Sequence, residues 1–254
     1  ILQALHPWVM LGTYQNSALF DPAKAFARFV RTAEFVGIRT YGTTSEVEAA
    51  ASRVRRLHAK LRGHDPATGR PFRLDDPQSL LWVHCGEIDS YVDVAVRAGI
   101  LADADADRYV AESVRAAEIV GAADAPRSRA ELAAYFDEVR PRLRLTEEAI
   151  TGTVNLLTAR LPAPWSVKLT QPPVAALAFA TMPRWARRMY GSPGLPTTDL
   201  SATLALKAAL FGGFFVAGAL LYSFLSPSVG FNKRTLTLFL GLLLGLVLVT
   251  LLAE

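Results

Sequence analysis

Apolar residues recur every three to four positions along most of the first two hundred residues, and no segment alternates strictly with period two. That pattern predicts helices throughout. Beyond an apolar opening segment, a helix is expected from about Pro22 to Val36, with Asp21 as its N-cap, Pro22 in the first turn and Gly37 as its stop. Ser45 and Glu48 have capping-box spacing and open a second helix. On it Val47, Ala51, Val54, His58 and Leu61 share one face, and Gly63 ends it. From His64 to Pro77 the periodicity is lost among Asp, Gly, Pro and Arg, the composition of a surface loop or short hairpin. A third helix begins near Pro77, carries Leu80, Leu81, His84, Ile88, Tyr91 and Ala95 on its stripe, and stops at Gly99.

Amphipathic helices are expected over Asp103–Val120, Arg129–Glu138 and Thr146–Arg160. A proline-rich break covers Leu161–Pro173, and another helix follows over Val174–Tyr190, ending in the basic cluster Arg184, Arg187 and Arg188. There is no internal repeat. The end of the chain differs in kind: Ala208–Asn232 and Thr235–Ala253 hold no charged residue. As a helix the second run would extend ~28 Å, close to the thickness of a bilayer's hydrocarbon core. The reading is an all-α chain: a helical domain over 1–203 and a hydrophobic C-terminal part over 204–254, a transmembrane segment or hairpin. Lys233 and Arg234 would then hold the globular domain on the cytoplasmic side.

Composition changes this picture little. A formal charge of +4 and a pI near 9.4 suit an anionic partner such as lipid headgroups, but no motif or basic stripe points to nucleic acid. The single cysteine, Cys85, excludes an internal disulfide framework and a zinc site built on paired thiolates, and is expected as a small buried hydrophobe. The chain opens at Ile1 inside an apolar segment, so its native N-terminus is expected further upstream.

Two histidines on the apolar stripes of successive helices are unusual. His58 is either a core histidine satisfied by a backbone carbonyl or a metal ligand, and its spacing leaves both open. Arg28, Arg31 and Thr32 stand at i, i+3 and i+4 and so share a helix face that Phe35 extends. Such a face is either solvated, with Thr32 bonded back to its own helix, or a set of donors for an anionic group.

Leu5-His6-Pro7, then Arg28, Arg31 and Thr32, then Val54-Arg55-Arg56-Leu57-His58 followed by Gly63, and finally Trp82-Val83-His84 resemble, in order and separation, a bacterial family. It is related to the latex-clearing rubber oxygenases and to the fungal membrane-bound oxygenase of mycophenolic acid biosynthesis. The resemblance covers roughly residues 1–200. It implies a helical bundle enclosing haem b, with the iron ligated by His58. Arg28, Arg31 and Thr32 would then be catalytic groups that face or support the haem pocket, Arg28 and Thr32 contacting the cofactor, and His84 a second cofactor-binding candidate. The implied reaction is oxygenase or peroxygenase chemistry, with dioxygen or peroxide, on a lipophilic substrate at a membrane. Rubber-cleaving members carry a carboxylate ahead of the arginine helix, whereas Leu11–Phe20 contains no Asp or Glu, which counts against polyisoprene cleavage.

Two other classes compete: a haem-binding electron-transfer or sensor protein in which His84 is a second axial ligand, and a cofactor-free helical membrane adaptor. The nucleophile elbow, the P-loop, the H-E-x-x-H zinc motif and paired E-x-x-H di-iron motifs are all absent from the sequence.

Overall fold

The computed structural model describes residues 1–21, 23–158, 165–193 and 195–225. The chain forms two compact units, the first Ile1–Pro196 and the second beginning at Thr197. The first is built from helices, joined by one two-stranded antiparallel hairpin.

The apolar opening segment folds into a 3-10 turn, Leu2–Leu5, and a helix α1, Pro7–Asn16. His6 caps that helix: its Nδ1 accepts the Val9 N–H at 3.4 Å, and Pro7 occupies the first turn, where a missing N–H costs nothing. Helix α2 spans Ala25–Tyr41. Asp21 closes the turn ahead of it, accepting the Ala23 N–H at 3.0 Å and pairing with Lys24 at 2.9 Å, and does not cap the helix; Pro22 lies outside the described residues. Gly37 does not stop α2, which runs on to a cap at Gly42. A glycine inside a helix costs only about 1 kcal/mol against alanine, too little to end one that tertiary contacts hold.

Helix α3, Thr44–Lys60, starts earlier than the Ser45 cap predicts. Thr43 and Glu46 form the capping box, the Thr43 N–H donating to Glu46 Oε2 at 2.8 Å. Strands β1, Arg62–Asp65, and β2, Arg70–Arg73, pair with Gly63 opposite Phe72. Gly63 is therefore no helix terminator: a Cβ there would sit 2.1 Å from the Phe72 ring. The hairpin lies on α1, where Asn16 donates to the Arg62 carbonyl at 3.0 Å, Gln15 and the His64 backbone exchange two bonds, and Trp8 stacks on Phe72.

Helix α4, Pro77–Ala98, is capped by Asp76 and ends at Gly99 in the left-handed region, φ 76°. It runs through the core. Trp82 is fully buried, donates its indole N–H to the Gln3 carbonyl at 3.0 Å and meets Phe136 edge-on. Gln3 answers with a bond to the Val83 carbonyl at 2.9 Å, so the N-terminal turn is stapled to α4 from both sides. Cys85, also fully buried, has its thiol pushed up to about 12 by burial and by Asp89, and is inert packing.

Helix α5, Ala106–Glu118, places Ala106, Val110, Val114 and Ala117 on the buried side, the first two against Ile88 and Val92 of α4. Helices α6, Arg129–Val139, and α7, Glu147–Thr158, follow. The expected proline break is displaced: α8 runs over Trp165–Ala180 with Pro172 and Pro173 inside it, and α9 is a short Arg184–Met189. Tertiary ties override the local preference, since Ala175 is buried and Gln171 donates to the Leu156 carbonyl at 2.8 Å.

Helix α10 covers Pro196–Leu225. Among the described residues no helix is long and apolar enough to cross a membrane, so the 208–232 run gives no such span as far as it is described. The 235–253 run lies outside the described residues.

Candidate functional site

His58 sits in the last turn of α3, which ends as Leu61 returns its N–H to the carbonyls of Leu57 and His58. The stripe holds as read: Val47, Ala51, Val54, His58 and Leu61 are buried or half-buried, while Arg53, Arg56 and Leu57 are exposed. Arg55, beside the stripe, fastens the helix by donating to the Ile119 carbonyl at 2.5 Å and to Glu48 at 2.6 Å.

The His58 Nδ1 is shielded from solvent and makes no hydrogen bond among the described residues. Burial first, and the Arg28 guanidinium second, hold its pKa below the ordinary value, against a weaker opposite pull from Asp75. The ring is therefore neutral at physiological pH, the state in which an imidazole nitrogen has a lone pair to give a metal. A shielded nitrogen without a partner also costs stability unless another group meets it.

Arg28 is half-buried on α2, and among the described residues no carboxylate pairs with it. Its guanidinium donates to Thr32 Oγ1, and that hydroxyl in turn donates to the Arg28 carbonyl at 3.1 Å. Thr32 is thus bonded back to its own helix. Arg31 is exposed; it acts on Arg28 as a like charge and, after burial, depresses its pKa. Arg28 and His58 are brought together, with Arg31 and Thr32 at the outer side of the pair. Although α2 is amphipathic, Ala25 is its only buried residue, and Phe29 is 62% exposed.

His84 is buried on α4, and burial holds its pKa near 4. The charges that act on it are Glu87 and Arg39, which join α4 to α2 through two bonds of 2.6 and 3.1 Å. None of them acts on His58. Sequence reading missed Asp75, Arg39 and Glu87, because their relevance comes from contacts between elements and leaves no spacing within one. Asp93 and Arg97, an ion pair at 2.7 Å, were legible as an i,i+4 pair.

The donor set fits a haem. One neutral imidazole offers a shielded nitrogen, and one guanidinium, with no counter-ion among the described residues, lies close enough to act on it, the donor types that would hold an iron and a carboxylate. Among the described residues no cluster of three or more His, Cys, Asp or Glu offers a metal ion a site of its own.

The family model described as the ER-bound oxygenase mpaB/B'/rubber oxygenase catalytic domain matches residues 1–215. No curated protein and no solved structure gives a significant match.

Proposed function

The chain belongs to the mpaB/rubber oxygenase catalytic-domain family, an oxygenase family, and from that premise we propose that it is a haem b-dependent oxygenase or peroxygenase acting on a lipophilic substrate at a membrane. One observation carries the reading: the shielded, unpartnered Nδ1 of a neutral His58 beside an Arg28 that lacks a carboxylate partner.

When bound, the haem supplies an iron centre that activates dioxygen or peroxide. The chain's own residues do the rest. His58 would hold the iron from α3, and the α3 carbonyls and Arg55 tether fix the helix that carries it. Arg28 would bind a propionate, for which a guanidinium is suited as a two-pronged donor. Its bond to Thr32 sets the direction of that donor, and Arg31 adds positive charge at the outer edge. The exposed Phe29 and half-buried Phe35 and Val36 of α2 supply apolar wall for a substrate with little polarity. The 235–253 run would dock the domain on a bilayer, with Lys233 and Arg234 on the cytoplasmic side, giving such a substrate direct access. His84 answers to a different pair of charges from His58, which supports His58 alone as the imidazole that would hold the iron.

A pyridine haemochrome measurement on wild type and His58→Ala tests this. Wild type should carry haem b near one per chain, and His58→Ala should lose most of it. An alanine variant with a full complement and an unshifted Soret band would overturn the assignment.

A further inference from the structure

A cavity of about 360 Å³ opens between α4, α6 and the start of α9. Val92, Leu132 and Phe136 give it an apolar floor, and Trp185 stands at its side under the Arg140 guanidinium, 5.0 Å from the ring centre. Neither His58 nor Arg28 lines it.

Three carboxylates and three guanidinium groups face this space, and their pairing is uneven. Arg97 is held by Asp93 at 2.7 Å and Arg140 by Asp137 at 2.6 Å. Arg129 is taken by Asp103 at 2.7 Å and by Asp107 at 3.6 Å, neither of which lines the cavity. Asp89 remains. Among the described residues it makes no hydrogen bond and no ion pair, and Arg97 acts on it only from beyond contact distance. Every lining cation is thus already matched, while one lining acid is not.

We propose that this cavity binds a small organic ammonium ion, its charged nitrogen at Asp89 and its apolar body on Phe136 and Leu132. An anion would have to displace a carboxylate from an arginine. A bare metal ion would find one uncommitted oxygen donor group and no lining histidine or cysteine. A neutral ligand would cover the half-buried Asp89 carboxylate without meeting its charge, a cost that a cation avoids. The state of Asp89 agrees: burial and then Asp93 raise its carboxyl to about 6, with Arg97 pulling the other way, so it is mostly ionised at neutral pH and gains from a cation.

Isothermal titration of the full chain with 2-phenylethylammonium chloride tests the site, using 2-phenylethanol as the neutral counterpart and the Soret band as a monitor of haem. At pH 7.5 the ammonium ion should bind saturably, at least about tenfold more tightly than the alcohol, without moving the Soret band. Lowering the pH to 5 should weaken wild-type binding about tenfold as Asp89 takes its proton, while Arg97, Arg129 and Arg140 stay charged and the Cys85 thiol stays neutral. Asp89→Asn should lose about tenfold or more at pH 7.5, while His58→Ala should bind like wild type. Equal binding of the alcohol, no loss at pH 5, no saturable binding by wild type, or a folded Asp89→Asn that binds like wild type would overturn the proposal.

Discussion

At Gly63 the side chain that is missing decides the local structure. The Phe72 ring lies across the position where a Cβ would project, and Trp8 stacks on the far face of that ring, so it has little room to retreat. Gly63→Ala should lower stability by about 1–3 kcal/mol in urea denaturation, and Phe72→Leu in the same chain should restore part of it. An alanine variant as stable as wild type would show that the hairpin repacks freely. Asp89 acts through charge. Its pKa is raised in the folded chain, from 3.8 to about 6, so the fold binds its proton more tightly than the unfolded chain does. Its contribution is therefore present below about pH 4 and is lost as pH rises through about 6, a change of at most about 3 kcal/mol. Asp89→Asn should melt higher than wild type at pH 7.5, and the difference should close by pH 4.

Histidine placement was legible because a 3.6-residue period puts His58 and His84 on apolar stripes whatever the tertiary structure, and both are half-buried or buried. The Thr43 cap was not, because Thr43-x-x-Glu46 and Ser45-x-x-Glu48 offer the same chemistry two residues apart. Only the end of α2 at Gly42 selects the first. Asp89 was invisible for another reason: the residues that line its cavity come from α4, α6 and α9, which meet only in the fold and leave no mark on spacing.

Among the elements, α4 connects most of the others. One side carries His84 and Glu87 toward α2, another carries Asp89, Asp93 and Arg97 into the Asp89 cavity, and Trp82 anchors the core between the N-terminal turn and α6. Arg39 and Glu87 are the polar fastening between α2 and α4, with side chains 13% and 17% exposed. Removing one partner strands the other, so Glu87→Ala should cost about 3 kcal/mol or more, whereas Arg39→Met with Glu87→Leu should stay within about 1 kcal/mol of wild type. Chemical denaturation of the three chains decides it, and equal losses in the single and double variants would mean the pair is not what holds α2. Helix existence was readable for α2 to α7, but not for α1 in the opening segment or for the first half of α8, and the single helix expected over Val174–Tyr190 is divided between α8 and α9; helix ends were not readable wherever contacts between elements set them. Gly37 lies within α2, and Pro172 and Pro173 lie within α8, although each breaks a helix by local preference. The short hairpin was only one of two readings of 64–77, and its first strand begins earlier, at Arg62, because α1 presents Asn16 and Gln15 to its backbone.

For the whole molecule, the sequence separates a charged helical part from an end whose 208–232 and 235–253 runs hold no charged residue, and the first compact unit closes at Pro196. That unit carries both the His58–Arg28 pair, on α3 and α2, and the Asp89 cavity, between α4 and α6. In the proposed enzyme the first holds the cofactor and the second a cation. Arg28→Ala should weaken haem binding about tenfold without changing the axial ligand, whereas Arg28→Lys should keep part of the affinity, as competition for haem with apomyoglobin would show. The most direct test of the central claim is resonance Raman spectroscopy of the ferrous protein, following the iron–histidine stretch in wild type and in His58→Gly with added imidazole. The account predicts that the band disappears in His58→Gly and returns when imidazole fills the space. A band that persists unchanged in His58→Gly without imidazole would show that another residue holds the iron.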